Sequence, residues 1–271
     1  MTKLETYKSK GYILVKNFFE KSEIEALVLE AKQTFAVQIK RVLGECPAIE
    51  NTDSFEKAMF DYFENDMASF ISTGKNVQHS IQLYRLNTDE RLIKLLKELG
   101  IEKPNIGVKP SMQFNSRYLT KGSKHWKLAA HQDWRSGQGS LDSIVVWFPL
   151  VDCNHDLGVL QLVEASHTLG LLNASGVSYE GSLENDFTDE MYKEFDMEAG
   201  DILVFSAFLV HRSGENTTKN IRWSVQYRFN NLSEATFIKR GYPQSYNYSP
   251  QEDLITPNFP EKNQLISLFE G

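Results

Sequence analysis

Cysteine is nearly absent from this chain. Two in 271 residues, Cys46 and Cys153, are too few for a disulfide framework and lack the spacing of a structural zinc site. They predict two reduced thiols in a cytoplasmic protein. Basic clusters are missing as well: 29 Lys and Arg stand against 36 Asp and Glu, for a net charge of −7, and no run is rich in Lys or Arg. That argues against nucleic acid or an anionic membrane as the main partner. No apolar run approaches the ~18 residues of a membrane span. Residues 1–11 have no apolar segment of the kind a signal peptide needs. No repeat or low-complexity linker divides the chain. The expectation is one soluble cytoplasmic domain over 1–271, with a helix-rich part at 1–105, a β core at 106–230 and a tail at 231–271.

What is present begins with helix signals. Gly11-Tyr12-Ile13-Leu14-Val15-Lys16-Asn17-Phe18-Phe19 is a short β-like run. Ser22-Glu23-Ile24-Glu25 then has the form of a capping box. Ile24, Leu27, Val28, Ala31, Phe35 and Ile39 recur at helical spacing, so residues 22–43 are expected to form an amphipathic helix that stops before Pro47. Residues 51–100 read as further helices. Phe55, Met59, Phe60, Tyr62 and Phe63 form one apolar face, and Leu92, Leu95, Leu96 and Leu99 form another, stopped by Gly100. Core packing is the expected job of these faces.

From Ile106 the pattern turns to strands. Ser111-Met112-Gln113-Phe114-Asn115 reads as one, and Ser143-Ile144-Val145-Val146-Trp147-Phe148 is the strongest. Val159 to Val163 alternates after a turn, Ile202-Leu203-Val204-Phe205 follows Gly200-Asp201, and the run from Ile221 to Phe229 alternates clearly. Residues 117–127 and the acidic stretch 173–198 read as loops. A short helix is expected at 263–269. Many short strands separated by turns argue for a β-sandwich or barrel with the helices packed on its outside.

The chemistry gathers between residues 128 and 230. His131-Gln132-Asp133 places an imidazole and a carboxylate two residues apart, on one side of an extended chain, with Gln132 turned away. His211, after a strong strand, is the best third ligand. Two histidines and one carboxylate are the facial triad of non-haem Fe(II) oxygenases, which leaves the other coordination positions open. Arg222 sharpens this. A 2-oxoacid bound through its keto-acid end needs a fixed cation for its far carboxylate, and arginine offers a planar fork that stays charged when buried. By alternation Arg222 shares a face with Ser224 and Gln226, and Ser213 could offer a hydroxyl to the same carboxylate. The competing assignments for Arg222 are a surface position or an ion pair with an acid such as Asp201.

These residues in this order, with Gly158-Val159-Leu160, Ser166-His167 and Gly200-Asp201-Ile202-Leu203-Val204-Phe205 between them, resemble the phytanoyl-CoA dioxygenase family. The similarity runs along essentially the whole chain. It implies a double-stranded β-helix, a jelly-roll or cupin-like core packed by N-terminal helices, with Fe(II) as metal and 2-oxoglutarate as cosubstrate. It implies iron ligation by His131, Asp133 and His211. It also implies cosubstrate binding by Arg222 and Ser213, with Met112, Gln113 and Trp147 lining that pocket. The chain departs from the family at Glu164-Ala165-Ser166-His167, where Pro-Gly-Ser-His is frequent, and at Leu157-Gly158, where Asn-Gly is frequent. Related halogenases lack the carboxylate; Asp133 keeps it, so the expected outcome is hydroxylation of an aliphatic C–H with O2, releasing succinate and CO2.

For the substrate, Trp134, Arg135 and His167 are candidate contacts. With Arg117, Tyr118, Lys121, Lys124 and Trp126 near the metal corner, they suit an anionic or sugar-derived small molecule. Two other classes remain open from the residues alone: a non-redox cupin-like metal enzyme, and a non-catalytic binding protein on the same fold.

Overall fold

The computed structural model describes residues 1–120, 128–175, 182–183 and 187–243. The helix expected at 263–269, and Lys121, Lys124 and Trp126 in the flanking loop, lie outside the described residues.

The chain opens with α1 (Lys3–Lys10) and β1 (Tyr12–Val15). A helical layer follows: α2 (Lys21–Leu43), α3 (Thr52–Asn65), α4 (Met67–Val77), α5 (Ile81–Asn87) and α6 (Glu90–Glu98). Each of α3 to α6 starts behind a short polar residue, Asn51, Asp66, Ser80 or Asp89, whose side chain accepts a hydrogen bond from an orphan N–H of the first turn. Helix α2 starts one residue earlier than its sequence signal: Glu20 is the cap, and the Glu23 carboxylate reaches back to the Glu20 N–H at 2.8 Å. Its buried stripe is Ile24, Leu27, Ala31, Phe35 and Ile39, as the spacing requires.

The β part comprises β2 (Pro104–Asn115), the short α7 (Trp134–Gly137), β3 (Ile144–Pro149), β4 (Leu160–Val163), β5 (Ala174–Ser175), β6 (Ser182–Leu183), β7 (Tyr192–Lys193), β8 (Ile202–Ser206), β9 (His211–Ser213) and β10 (Arg222–Asn231). Helix α8 (Ala235–Lys239) follows. The larger sheet has the order β1-β8-β3-β10-β2, the smaller one β7-β4-β9, and β5 pairs with β6. Every pairing is antiparallel. This is the expected jelly-roll architecture, with two sheets face to face and no closed barrel among the described residues.

Two apolar layers sandwich the larger sheet. On its outer face Ile144, Val146, Phe148, Trp223, Val225, Tyr227 and Phe229 pack against the helices. Phe35 of α2 meets Trp223 edge-on at 6.3 Å, and the Tyr227 hydroxyl donates to the Leu83 carbonyl at 2.8 Å. On the inner face Val145, Trp147, Leu203 and Phe205 meet Leu160, Leu162 and Leu209. Strand β3 is buried on both faces, which is why it reads as an unbroken apolar run.

Some elements carried weaker signals. Helix α1 buries no residue, so it has no apolar period; only the box formed by Thr2 and Glu5 marks it. Strand β2 begins seven residues before its alternating part, because its first half is an exposed sheet edge. Ala165 sits at φ 61°, in the left-handed region that favours glycine. The departure from the frequent Pro-Gly-Ser-His thus places a Cβ on a strained backbone.

One contact ties the helices to the centre of the sheet. Glu56 of α3 is 4% exposed. Its Oε2 accepts from the Ile221 N–H at 2.9 Å and from Asn220 Nδ2 at 3.2 Å, and its Oε1 accepts from Trp223 Nε1 at 3.3 Å. Burial pushes this acid up, while the three donors pull it down. The carboxylate thereby clasps both neighbours of Arg222. Glu56→Ala leaves those donors unpaired and is expected to lower stability by about 2 kcal/mol. A shift of the urea midpoint at constant slope measures this, and an unchanged midpoint contradicts it.

Candidate functional site

His131, Asp133 and His211 meet between the two sheets. One donor atom from each lies within 4.8 Å of the others, and all three residues are buried. His211 opens β9 and forms an antiparallel bridge with His131, with both backbone hydrogen bonds made, at 3.0 and 3.1 Å. Asp133 reaches the site in a different way from the expected strand alternation. Its backbone is helical, at φ −61° and ψ −29°, because the chain turns there into α7. Gln132 points away, as expected. Its Nε2 donates to the Gly170 and Phe208 carbonyls, and its Oε1 accepts from the Leu172 N–H.

The imidazoles are oriented for ligation. Nδ1 of His131 is 2.7 Å from the Ala129 carbonyl, and Nδ1 of His211 is 2.9 Å from the Leu209 carbonyl. A carbonyl only accepts, so each Nδ1 carries a proton, and in the neutral ring Nε2 is then the nitrogen that presents a lone pair. Those Nε2 atoms lie 3.6 Å (His131) and 4.0 Å (His211) from the Asp133 carboxylate. Burial, and then neighbouring His131, push the His211 imidazole down to about 3, so it is neutral at physiological pH. Burial also opposes ionisation of Asp133. The Arg228 guanidinium and the two imidazoles outweigh it and hold this carboxyl well below the usual carboxylate range. Two imidazoles and a carboxylate on one side of a shared point are a donor set that fits a divalent transition metal.

Beside this triad lies a buried cation. Arg222 opens β10 and is 1% exposed. Nη1 donates to the Gly158 carbonyl, and the guanidinium lies 5.9 Å from the centre of the Trp147 ring. Its Nε has no partner. No ion pair involves Arg222 among the described residues. Asp201, the acid that could have matched it, pairs with Lys16 at 2.8 Å and accepts from the Asn17 N–H. Nor does Cys153 supply a charge, since burial pushes its thiol up to about 12. Burial lowers Arg222 only to about 10, so it stays cationic. Two neighbours on the same face are also unsatisfied: Ser224 Oγ, fully buried, and Oδ1 of Asn115, which pairs with Arg222 in the register. A buried cation with no counter-charge among the described residues, next to unpaired polar atoms, suits a carboxylate ligand.

The other expected residues divide. Ser213, two after His211 on β9, is buried on the same side as that ligand. Gln113 pairs with Ser224 and so shares the inner face, and Trp147 pairs with Gln226 there. Met112 does not line this pocket. It pairs with Val225 and packs in the helix-backed core, because the register puts its parity on the outer face. Trp134 stacks on Phe208 at 5.1 Å, its Nε1 donates to the Ser140 carbonyl, and it lines a small cavity with Asp133 and Arg228. His167 Nε2 meets the Lys8 carbonyl at 3.1 Å and its ring lies against Gly11, which makes it a brace for the N-terminal helix. Arg135 donates through Nη2 to the Leu172 carbonyl and leaves Nε without a partner.

Arg228 was not singled out from the sequence, and Gln226 was named only as sharing the face of Arg222, yet both touch Asp133. Gln226 Nε2 donates to Oδ2 at 2.6 Å. Arg228 donates to Oδ2 at 3.2 Å through Nε and to Oδ1 at 3.0 Å through Nη2. Their signal was their parity: both continue the alternating face of Arg222 and Ser224.

The sequence profile described as phytanoyl-CoA dioxygenase (PhyH) matches residues 7–224. The chain belongs to the phytanoyl-CoA dioxygenase family. The triad and the buried Arg222 are the features of this PhyH chain that suit a divalent metal and a carboxylate ligand. A 1-deoxypentalenic acid 11-beta-hydroxylase of Streptomyces exfoliatus is 30% identical over 99 residues, covering 33% of this chain and 35% of the relative. The match thus spans about a third of that relative's length. The epimerase SnoN, in a complex with Fe3+, alpha-ketoglutarate and nogalamycin RO, shares the fold at a TM-score of 0.59 and 17% identity, over 85% of this chain and 82% of the other. EctD from S. alaskensis does so at a TM-score of 0.56 and 16% identity, over 86% and 77%. No described helix of this PhyH protein is long and apolar enough to cross a membrane.

If the triad holds the metal, His131→Ala, Asp133→Ala and His211→Ala should each weaken Co(II) binding by more than about 100-fold, beyond the 10–100-fold typical of losing an outer-shell partner. Equilibrium titration with unchanged circular dichroism tests this. A variant that binds as the parent does removes that residue from the set.

Proposed function

We propose that the protein hydroxylates an aliphatic C–H of a small molecule, with His131, Asp133 and His211 holding Fe(II) and Arg222 anchoring 2-oxoglutarate. The observation that carries this reading is Arg222, buried, cationic and without a counter-charge among the described residues, on the strand that also runs past Asp133. The far carboxylate of 2-oxoglutarate supplies the missing charge, and a carboxylate has lone pairs enough for the guanidinium and for a neighbouring hydroxyl. Ser224 Oγ is such a hydroxyl, and Ser213 is a second candidate. Trp147 and Gln113 wall the same space.

When bound, the iron supplies the oxygen chemistry: O2 and 2-oxoglutarate are consumed, one oxygen atom goes to the substrate C–H, and succinate and CO2 leave. The chain's own contribution is orientation. The Ala129 and Leu209 carbonyls fix which imidazole nitrogen faces the metal, and three protein ligands leave the remaining coordination positions to small molecules. The Asp133 carboxylate occupies the position that halogenases of the wider family leave free, which favours hydroxylation. The apolar layer of Val145, Leu203, Phe205 and Leu209 excludes bulk water.

The substrate is proposed to be a small anionic molecule. Arg135, two residues past Asp133, keeps an unpartnered Nε, and the Streptomyces relative is named for a carboxylic acid.

Anaerobic addition of Fe(II) and 2-oxoglutarate should produce the weak visible band of the chelate, and O2 should then release succinate. Arg222→Ala removes charge-assisted bonds worth about 3 kcal/mol and should raise the 2-oxoglutarate Kd roughly 100-fold. A non-redox metal enzyme would take up the metal, show no chelate band and respond to neither change.

A further inference from the structure

Asp133 sits on a turn and not on a regular strand, so the sheet does not fix where its carboxylate points. Side chains of β10 do. Two donors converge on Oδ2: Gln226 Nε2 at 2.6 Å and Arg228 Nε at 3.2 Å. Oδ1 takes Arg228 Nη2 at 3.0 Å, and that nitrogen has a second acceptor within reach, Gln226 Oε1, also at 3.0 Å. Oδ1 is also the oxygen of the closer imidazole approach, 3.6 Å to His131 Nε2, against 4.0 Å from Oδ2 to His211 Nε2.

We propose that Arg228 and Gln226 are positioning residues for Asp133, locking Oδ2 into the protein and leaving Oδ1 as the oxygen turned to the metal. This rests on the reading of His131, Asp133 and His211 as the metal ligands. The asymmetry of the donors supports it. Oδ1 can be released at small cost, because Nη2 keeps Gln226 as its partner. Oδ2 cannot turn without breaking two bonds, one of them charge-assisted. The planar fork of arginine matters here, since it sets two nitrogens on the carboxylate in one fixed plane, where an ammonium brings a single nitrogen. Arg228 also gives the fully buried carboxylate a counter-charge when no metal is present, at a site where an unpaired charge is strongly disfavoured. The consequence is that one strand sets both halves of the site: Arg222 at its start faces the cosubstrate, and Arg228, six residues on along the same face, sets the metal's carboxylate.

The test is titration of the metal-free protein with Co(II), following affinity and the visible spectrum of the bound ion. Arg228→Met is expected to weaken binding by about 10–100-fold, the range seen for outer-shell partners. Gln226→Leu should weaken it less, and Arg228→Lys should restore only part of the loss. In both Arg228→Met and Gln226→Leu the bound Co(II) spectrum should shift as the freed Oδ2 swings to the metal; a structural defect that spares the site would not shift it. If Arg228→Met fails to fold, Gln226→Leu carries the test alone. Binding that is unchanged or tighter, with the parental spectrum, overturns the proposal. Absence of Co(II) binding by the parent protein overturns the metal reading beneath it and the proposal together.

Discussion

A guanidinium removed from water, with no carboxylate among the described residues to meet it, is the constraint on which the rest of this structure turns. Arg222 is among the largest fully buried side chains of the protein. Leaving such a group unpaired is unfavourable unless something else completes it. The surroundings have not evolved to neutralise it from within: Asp201 is committed to Lys16, and Cys153 is held protonated. They position it instead. Gly158 takes one donor, Glu56 accepts from the Ile221 N–H on one side and the Trp223 indole on the other, and Trp147 lies within cation–π range. The charge is therefore kept ready for an anion that arrives from outside.

Strand β10 is where this constraint meets the fold. Its two faces have opposite characters. Trp223, Val225, Tyr227 and Phe229 seal the sheet against the helices, while Arg222, Ser224, Gln226 and Arg228 line the interior. A slip of one residue would put the guanidinia into the helical core and the aromatics into the site, so the register is strongly specified. The helical layer has a direct part in the chemistry through this strand. Glu56 and Phe35 fix its outer face, and so fix the direction of the polar face. The triad forms on the inner side, where His131 and His211 bridge each other across from this strand.

Much of this was legible in the sequence. The 3.6-residue period of Ile24, Leu27, Ala31, Phe35 and Ile39 is local information, and so is the alternation of β10 that gave Arg222 its face. The spacing of His131, Asp133 and His211 was enough to group them, although Asp133 arrives by a turn. What stayed hidden depends on non-local partners. The parity of Met112 is set by its pairing with Val225 on a distant strand. Trp134 and His167 are occupied by Phe208 and by Lys8, contacts that no window of sequence contains. Helix α1 and the first half of β2 bury too little to show a period. Gln226 and Arg228 were visible as residues of the right parity; only the position of Asp133 in space shows what they hold.

The charge of Arg222 is proposed to serve a distal carboxylate. Binding of 2-oxoglutarate can be compared with binding of 2-oxobutyrate, which has the same keto-acid end and no second carboxylate, in the metal-loaded anaerobic protein and in its Arg222→Ala variant. The parent should prefer 2-oxoglutarate by on the order of 100-fold, the value of losing a charge-assisted carboxylate pair, and the preference should vanish in the variant. Equal affinities for the two ligands in the parent, or a preference that survives Arg222→Ala, would contradict it.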